Sequence, residues 1–125
     1  MKYWASLIFA SLLEICWMYS LKFIDKSRLS AIQWKELFYS IEPWKAIFPV
    51  LGYVIFGLGN VLFFSFAMKK IPPSLAFAIW MGLALTGSIV IDYLFFNQSL
   101  SWIQILFLLL ITIGIIGLKA TFRVN

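Results

Sequence analysis

The sequence predicts an all-α integral membrane protein with four transmembrane helices per chain, arranged as one domain over residues 1–125. Composition gives the first reason. Hydrophobic residues make up 63% of the chain, charged residues 12%, and the mean hydropathy is +0.97. A water-soluble globule of 125 residues cannot cover that much apolar surface, so most of the chain must be solvated by lipid. Spacing gives the second. A helix needs about 20 mostly apolar residues to cross a hydrocarbon core about 30 Å thick, and the chain holds four such runs with little between them.

The expected spans are Trp4 to Phe23, Trp44 to Met68, Pro73 to Phe96 and Trp102 to Leu118. Trp4, Trp44 and Trp102 stand at expected ends, where an amphipathic ring prefers the headgroup level. Lys69-Lys70 ahead of Pro72-Pro73 closes the second span, and Asn97-Gln98-Ser99 closes the third, so the last two connections are tight hairpins. Lys2 and the apolar run after it have the start of a signal peptide. Glu14 interrupts that run and no small-residue cleavage site follows, so the first helix is expected to stay in the mature protein.

The connection from Ile24 to Pro43 is longer and carries its own pattern. Ser30 and Gln33 make a possible capping box, and Trp34, Leu37, Phe38 and Ile41 recur at helical spacing with Lys35, Glu36 and Ser40 on other faces. This predicts a short helix lying in the membrane interface; the alternative is a plain loop folded over the helix ends.

The net charge of +5 does not point to nucleic acid, because the ten Lys and Arg residues stand at the ends of apolar runs and form no basic stripe. Four spans place both termini on one side. Lys2, Lys69, Lys70, Lys119 and Arg123 then share the terminal side, against Lys22, Lys26, Arg28, Lys35 and Lys45 on the other. Orientation follows Lys/Arg asymmetry, and here there is none. The balance fits a chain that inserts both ways and pairs head to tail as an antiparallel, dual-topology dimer. Cys16, a lone cysteine within an apolar helix, reads as packing.

Glu14 is the residue that needs a reason. Near the middle of a span a bare carboxylate costs at least a few kcal/mol and faces a bundle interior or a wet cavity. Such a group can hold a proton or a cation but not both, which is what exchange of protons for a positively charged solute requires; the alternative is a protonated acid bonding helix to helix. Ala10, Ser11, Trp17 and Met18 are its neighbours at spacings of three and four. Trp17 can offer an aromatic face to a cation or an indole donor to the carboxylate, or be plain packing. In the second span Tyr53, Gly57 and Asn60 share a face, and spacing leaves open whether Asn60 meets another helix, Glu14 or a ligand. Phe77, Trp80 and Ala84 share a face of the third span, where Ala78 and Gly82 form a small-xxx-small pair. Asp92 lies about one turn from the end of that span and reads as a water-exposed interface residue. Gly114 and Gly117 interrupt a bulky run, so the fourth span reads as a packing and dimerisation element. With no His, no metal-ligand cluster, no activated Ser and no glycine-rich phosphate loop, nothing supports an enzyme, a metal site or a cofactor.

Taken in order, Leu12-Leu13-Glu14-Ile15-Cys16-Trp17, Leu21-Lys22-Phe23, Ala67-Met68-Lys69-Lys70-Ile71-Pro72, Ala76-Phe77-Ala78-Ile79-Trp80-Met81-Gly82 and Gly114-Ile115-Ile116-Gly117-Leu118-Lys119 resemble the small multidrug resistance transporters over nearly the whole chain. The resemblance implies proton-coupled export of small cations across the cytoplasmic (inner) membrane by an antiparallel homodimer, with the Glu14 pair as the shared proton and substrate site. It also implies a pocket lined by Ser11, Trp17, Tyr53, Asn60, Phe77 and Trp80, and dimer packing through Gly82, Gly114 and Gly117. Glu14 followed by Trp17 looks more like the guanidinium-exporter branch than the branch exporting bulky quaternary ammonium drugs. A planar guanidinium can make directed hydrogen bonds to carboxylates, and a quaternary cation cannot. The chain departs from the family pattern in Phe77 for a common Tyr, Asn60 for a Ser, Ala84 for a Gly, and a longer first connection. The other readings are a non-transporting membrane subunit, a heteromer with a homologous chain, and a lipid-carrier flippase, whose anionic headgroup Glu14 would repel.

Overall fold

In the computed structural model, which describes residues 1–122, the chain forms α1 (Lys2–Lys22), α2 (Lys26–Ser30), α3 (Glu42–Ala67), α4 (Pro73–Phe95) and α5 (Trp102–Thr121). All but α2 are long and apolar enough to cross a membrane, and their ends agree with the expected spans to within three residues. Arg123, counted above with the terminal-side charges, lies outside the described residues. Followed in order, α1 and α4 cross one way and α3 and α5 the other. Lys22, the long connection and the α4–α5 turn therefore share one face, here called the connection face.

α1 is the centre of the bundle, packing most extensively on α3 and then on α4. Its Leu7, Ala10, Ser11 and Glu14 are all buried. They follow the i, i+3, i+4, i+7 spacing that makes one stripe of a helix. At the terminal face, Leu7 meets Ala67, Ile71, Leu75 and Ala76 in the tightest apolar cluster, which locks the α3–α4 turn against α1. Pro72 in extended conformation and Pro73 at the first position of α4 start that helix with no lost donor. α5 packs chiefly on α4 and none of its residues is buried, which leaves a wide apolar face on lipid or a partner.

The turns are closed by side chains whose chemistry requires no packing. Asn97 takes a positive φ of 53°, a conformation its short amide tolerates, and the Gln98 N–H reaches back to the Asp92 carbonyl at 3.1 Å. Ser101 opens α5 with a full capping box: its hydroxyl accepts from the Gln104 N–H at 3.3 Å and the Gln104 side chain accepts from the Ser101 N–H at 2.9 Å. Ser101→Ala is expected to cost about 1 kcal/mol and lower the thermal unfolding midpoint in detergent while leaving ligand affinity unchanged.

The long connection differs from the expected single helix. Ser30 does not cap it; the Ser30 hydroxyl donates to the Ser27 carbonyl at 3.0 Å. Asp25 is the cap, accepting from the Ser27 N–H at 2.9 Å and the Ser27 hydroxyl at 2.6 Å, and these bonds hold its carboxyl below the usual carboxylate range. The local Asp25–Ser27 bonds start α2 earlier than the apolar spacing alone indicates, and the segment after it tightens into a 3-10 turn at Trp34–Phe38. The apolar residues still face outward, as an interfacial segment requires: Trp34, Phe38, Tyr39 and Ile41 are exposed. Trp44, read as a simple headgroup anchor, ties the connection down by donating its indole N–H to the Leu37 carbonyl at 2.9 Å.

Candidate functional site

Glu14 falls on the buried stripe of α1 because it stands seven residues after Leu7, and it is only 9% exposed. The residue opposite it on α3 is Asn60, 5% exposed. The Asn60 amide Nδ2 donates to Glu14 Oε2. The amide therefore turns its donor to the carboxylate and leaves its carbonyl, Oδ1, buried with no partner. A second buried polar atom, the indole Nε1 of Trp80, also lacks a partner. Unpaired buried polar groups cost about 1–3 kcal/mol each unless a ligand or water satisfies them. Both residues border one cavity, although these two atoms are themselves closed off from it.

That cavity has a volume of about 510 Å³, and its polar and aromatic wall is made by Glu14, Trp17, Tyr53, Asn60 and Trp80. Among the described residues, Glu14 is the only charged one on it. Trp17 and Tyr53 face each other with ring centroids 5.3 Å apart, and Trp80 is held by Phe64, with centroids 4.6 Å apart. A carboxylate among indole and phenol faces suits a small cation, because Coulomb attraction and the negative faces of the rings act on the same charge. The unpaired Asn60 Oδ1 is an acceptor next to this carboxylate, and a rotation of the amide is needed before a cation bearing N–H groups can reach it.

Gly57 sets how close Trp17 comes. A Cβ built at Gly57 would lie 3.0 Å from both Cδ1 and Nε1 of Trp17, so the indole lies directly on the α3 backbone. Gly57→Ala is expected to tilt Trp17 into the cavity and weaken cation binding by about 1 kcal/mol, roughly fivefold in Kd by calorimetry, with a change in tryptophan emission.

Two residues expected in the pocket stand elsewhere. Ser11 is 2% exposed and its hydroxyl donates to the Leu7 carbonyl at 2.9 Å, so it is spent within α1. Phe77 is 54% exposed and meets the cavity only through its edge-on contact with Trp80, with centroids 5.6 Å apart. Gly82, expected at a dimer contact, is filled within the chain, since a Cβ there would run into Ile115 of α5. Gly114 and Gly117 face open space.

Glu14 also borders a second cavity, of about 370 Å³, on its other flank between α1 and α4. Met18, Tyr19, Lys22, Ser88 and Asp92 line it. Asp92 is not the free interface residue its position indicates: it is half-buried and accepts from the Tyr19 hydroxyl at 2.6 Å. Tyr19 carried no signal in the sequence, because an aromatic residue one turn from a helix end reads as a headgroup anchor.

Comparison with known proteins agrees with this architecture. The family described as Small Multidrug Resistance protein matches residues 29–111, which include Tyr53, Asn60 and Trp80 but not Glu14 or Trp17. Pairwise relatives reach further. The chain is 31% identical over 117 residues to a protein named guanidinium exporter from Yersinia pseudotuberculosis, covering 93% of this chain and 95% of that one. It is 32% identical to one of the same name from Proteus vulgaris, with the same coverage, and 33% identical over 116 residues to one from Salmonella typhimurium, covering 93% and 94%. Four membrane-crossing helices, a carboxylate inside the first and a family match across most of the chain lead to one conclusion: this is a multi-pass membrane protein that belongs to the small multidrug resistance family.

Proposed function

We propose that the protein is a proton-coupled antiporter that exports small cations of the guanidinium class across the cytoplasmic membrane. The observation that carries this reading is the Glu14–Asn60 pair on an aromatic cavity with the Asn60 Oδ1 left unpaired. Protonated Glu14 is neutral and has no hold on a cation. Ionised Glu14 attracts one, so proton and substrate compete for the same carboxylate. Asn60 serves both states, donating Nδ2 to the carboxylate or, after an amide flip, accepting the carboxyl proton on Oδ1. Alternating access then carries a proton one way and a cation the other.

The names of the relatives support guanidinium as the substrate class, and so does the acceptor beside Glu14. The working unit in this reading is an antiparallel homodimer. The even split of positive charge and the open face of α5 at Gly114 and Gly117 support it. A second copy of the site then faces the first.

The test is proton release from detergent-purified protein on adding guanidinium, a monosubstituted guanidine and tetraphenylphosphonium in turn. Release is expected with the first two and weakly or not at all with the third. Release by tetraphenylphosphonium alone would move the substrate class to quaternary cations, and silence from all three would refute proton–cation competition in a homodimer.

A further inference from the structure

Glu14 stands between two cavities. The larger holds the aromatic wall and Asn60 and, among the described residues, no basic one. The smaller runs toward the connection face and is lined by Lys22, whose ammonium sits 3.8 Å from the centroid of the Phe96 ring and forms no ion pair with Asp92. Asp92 lines the same cavity, which therefore holds a second carboxyl beside Glu14. A proton can move there along hydroxyls, carboxyls and water.

The groups for that are present. From Glu14 to Tyr19 is an axial step of about 7.5 Å along α1, and a cavity of this size has room for bridging water. The Tyr19 Oη lies 2.6 Å from Asp92 Oδ1 and 3.0 Å from the Ser88 carbonyl oxygen. A phenol has one hydrogen and can also accept. With Asp92 ionised, Tyr19 donates to the carboxylate. With Asp92 protonated, the carboxyl donates to Oη and the phenol hydrogen turns to the Ser88 carbonyl. Both states of Asp92 are therefore satisfied with no heavy atom moved, as a group that gains and loses a proton in a half-buried place needs.

We propose that Asp92, held by Tyr19, is a proton station on a route that leaves Glu14 on the side opposite the substrate cavity. The inference rests on the reading of Glu14 as the proton-exchanging group. When a cation enters, the Glu14 O–H bond breaks and its proton passes through water to an Asp92 oxygen, forming a neutral carboxyl. Asp92 then loses a proton to bulk water at the connection face. One proton moves at each transfer. The groups facing Asp92 are Tyr19, Lys22 and, across the cavity, Glu14 from α1, with Tyr93 beside it on α4; α5 presents Gln104 and no titratable side chain.

Two measurements test this. In the first, pH-difference infrared spectra are recorded for Glu14→Gln protein, where Glu14 is silent. A titrating carboxylic-acid carbonyl band is expected that disappears in Glu14→Gln/Asp92→Asn and shifts in Glu14→Gln/Tyr19→Phe; identical spectra with and without Asp92 overturn the proposal. The second is stopped-flow proton release on adding guanidinium. Asp92→Asn is expected to release the same amount of proton about tenfold more slowly or worse, with Asp92→Glu restoring the rate. An unchanged rate, or a reduced amplitude, overturns the proposal. No release from the unmodified protein would instead overturn the reading of Glu14, and the infrared spectra would then decide alone whether Asp92 holds a proton. If Asp92→Asn fails to fold, Tyr19→Phe carries both measurements, since it leaves the carboxyl and removes its alternating partner.

Discussion

Glu14→Gln is expected to release no proton on adding guanidinium and to show no proton-driven uptake in proteoliposomes, while folding and eluting as the unmodified protein does. The substitution is close to isosteric. Its amide oxygen still accepts from Asn60 Nδ2, so the α1–α3 contact that Glu14 makes survives. What disappears is the charge. In a site that is 9% exposed, removing one partner of a buried ion pair costs about 3–5 kcal/mol, a loss in cation affinity of roughly a hundredfold or more. Coupling is expected to be lost altogether, because among the described residues no other ionisable group lines the cavity except the phenol of Tyr53. Persistent proton release from Glu14→Gln would place the exchanging group elsewhere and sink the antiport mechanism as described.

The parts of this protein legible in its sequence are those fixed by lipid. A carboxylate cannot be left on the lipid face, so Glu14 had to lie on the packed stripe with Leu7, Ala10 and Ser11, and it does. The four spans follow from the same constraint, since every backbone polar group at that depth must be bonded within a helix. Helical spacing likewise put Tyr53, Gly57 and Asn60 on one face, and all three border the cavity. Where water or local side-chain bonds decide, spacing says less. The connection between α1 and α3 starts at Asp25 because of its bonds to Ser27, against the apolar pattern that begins later. Pairing between distant elements was not legible either. Tyr19 and Asp92 are 73 residues apart, and each alone has an ordinary interfacial explanation. Ser11 has the right spacing from Glu14, but a serine in a helix can bond the carbonyl four residues back, and its hydroxyl takes that option.

Asn60→Leu is expected to weaken guanidinium binding by about 100-fold or more, and the loss is expected to shrink as the N–H groups of the cation are replaced by methyl groups. Asn60 does two separate things. Nδ2 supports the ionised form of Glu14, and its removal penalises every cation that must displace the proton. Oδ1 is unpaired and buried, and its removal penalises only a cation able to donate to it. Each is a hydrogen bond involving a charged group, worth about 1.5–3 kcal/mol, and leucine removes both, leaving Glu14 Oε2 without its donor. Proton-release titrations at fixed pH with guanidinium and its progressively methylated derivatives separate the two effects. A loss graded with methylation assigns Oδ1 to substrate recognition. An equal loss for every cation would mean that Asn60 acts only through Glu14. Asn60→Ser supplies the intermediate case: one hydroxyl has a single hydrogen to give to Glu14 and, being shorter than the amide, reaches less far into the cavity to accept from the cation. It is expected to keep proton coupling while losing part of the preference for cations that carry N–H groups. In the proposed mechanism, selectivity rests on the length of one side chain beside Glu14, with the rings of Trp17, Tyr53 and Trp80 supplying attraction for any cation small enough to enter.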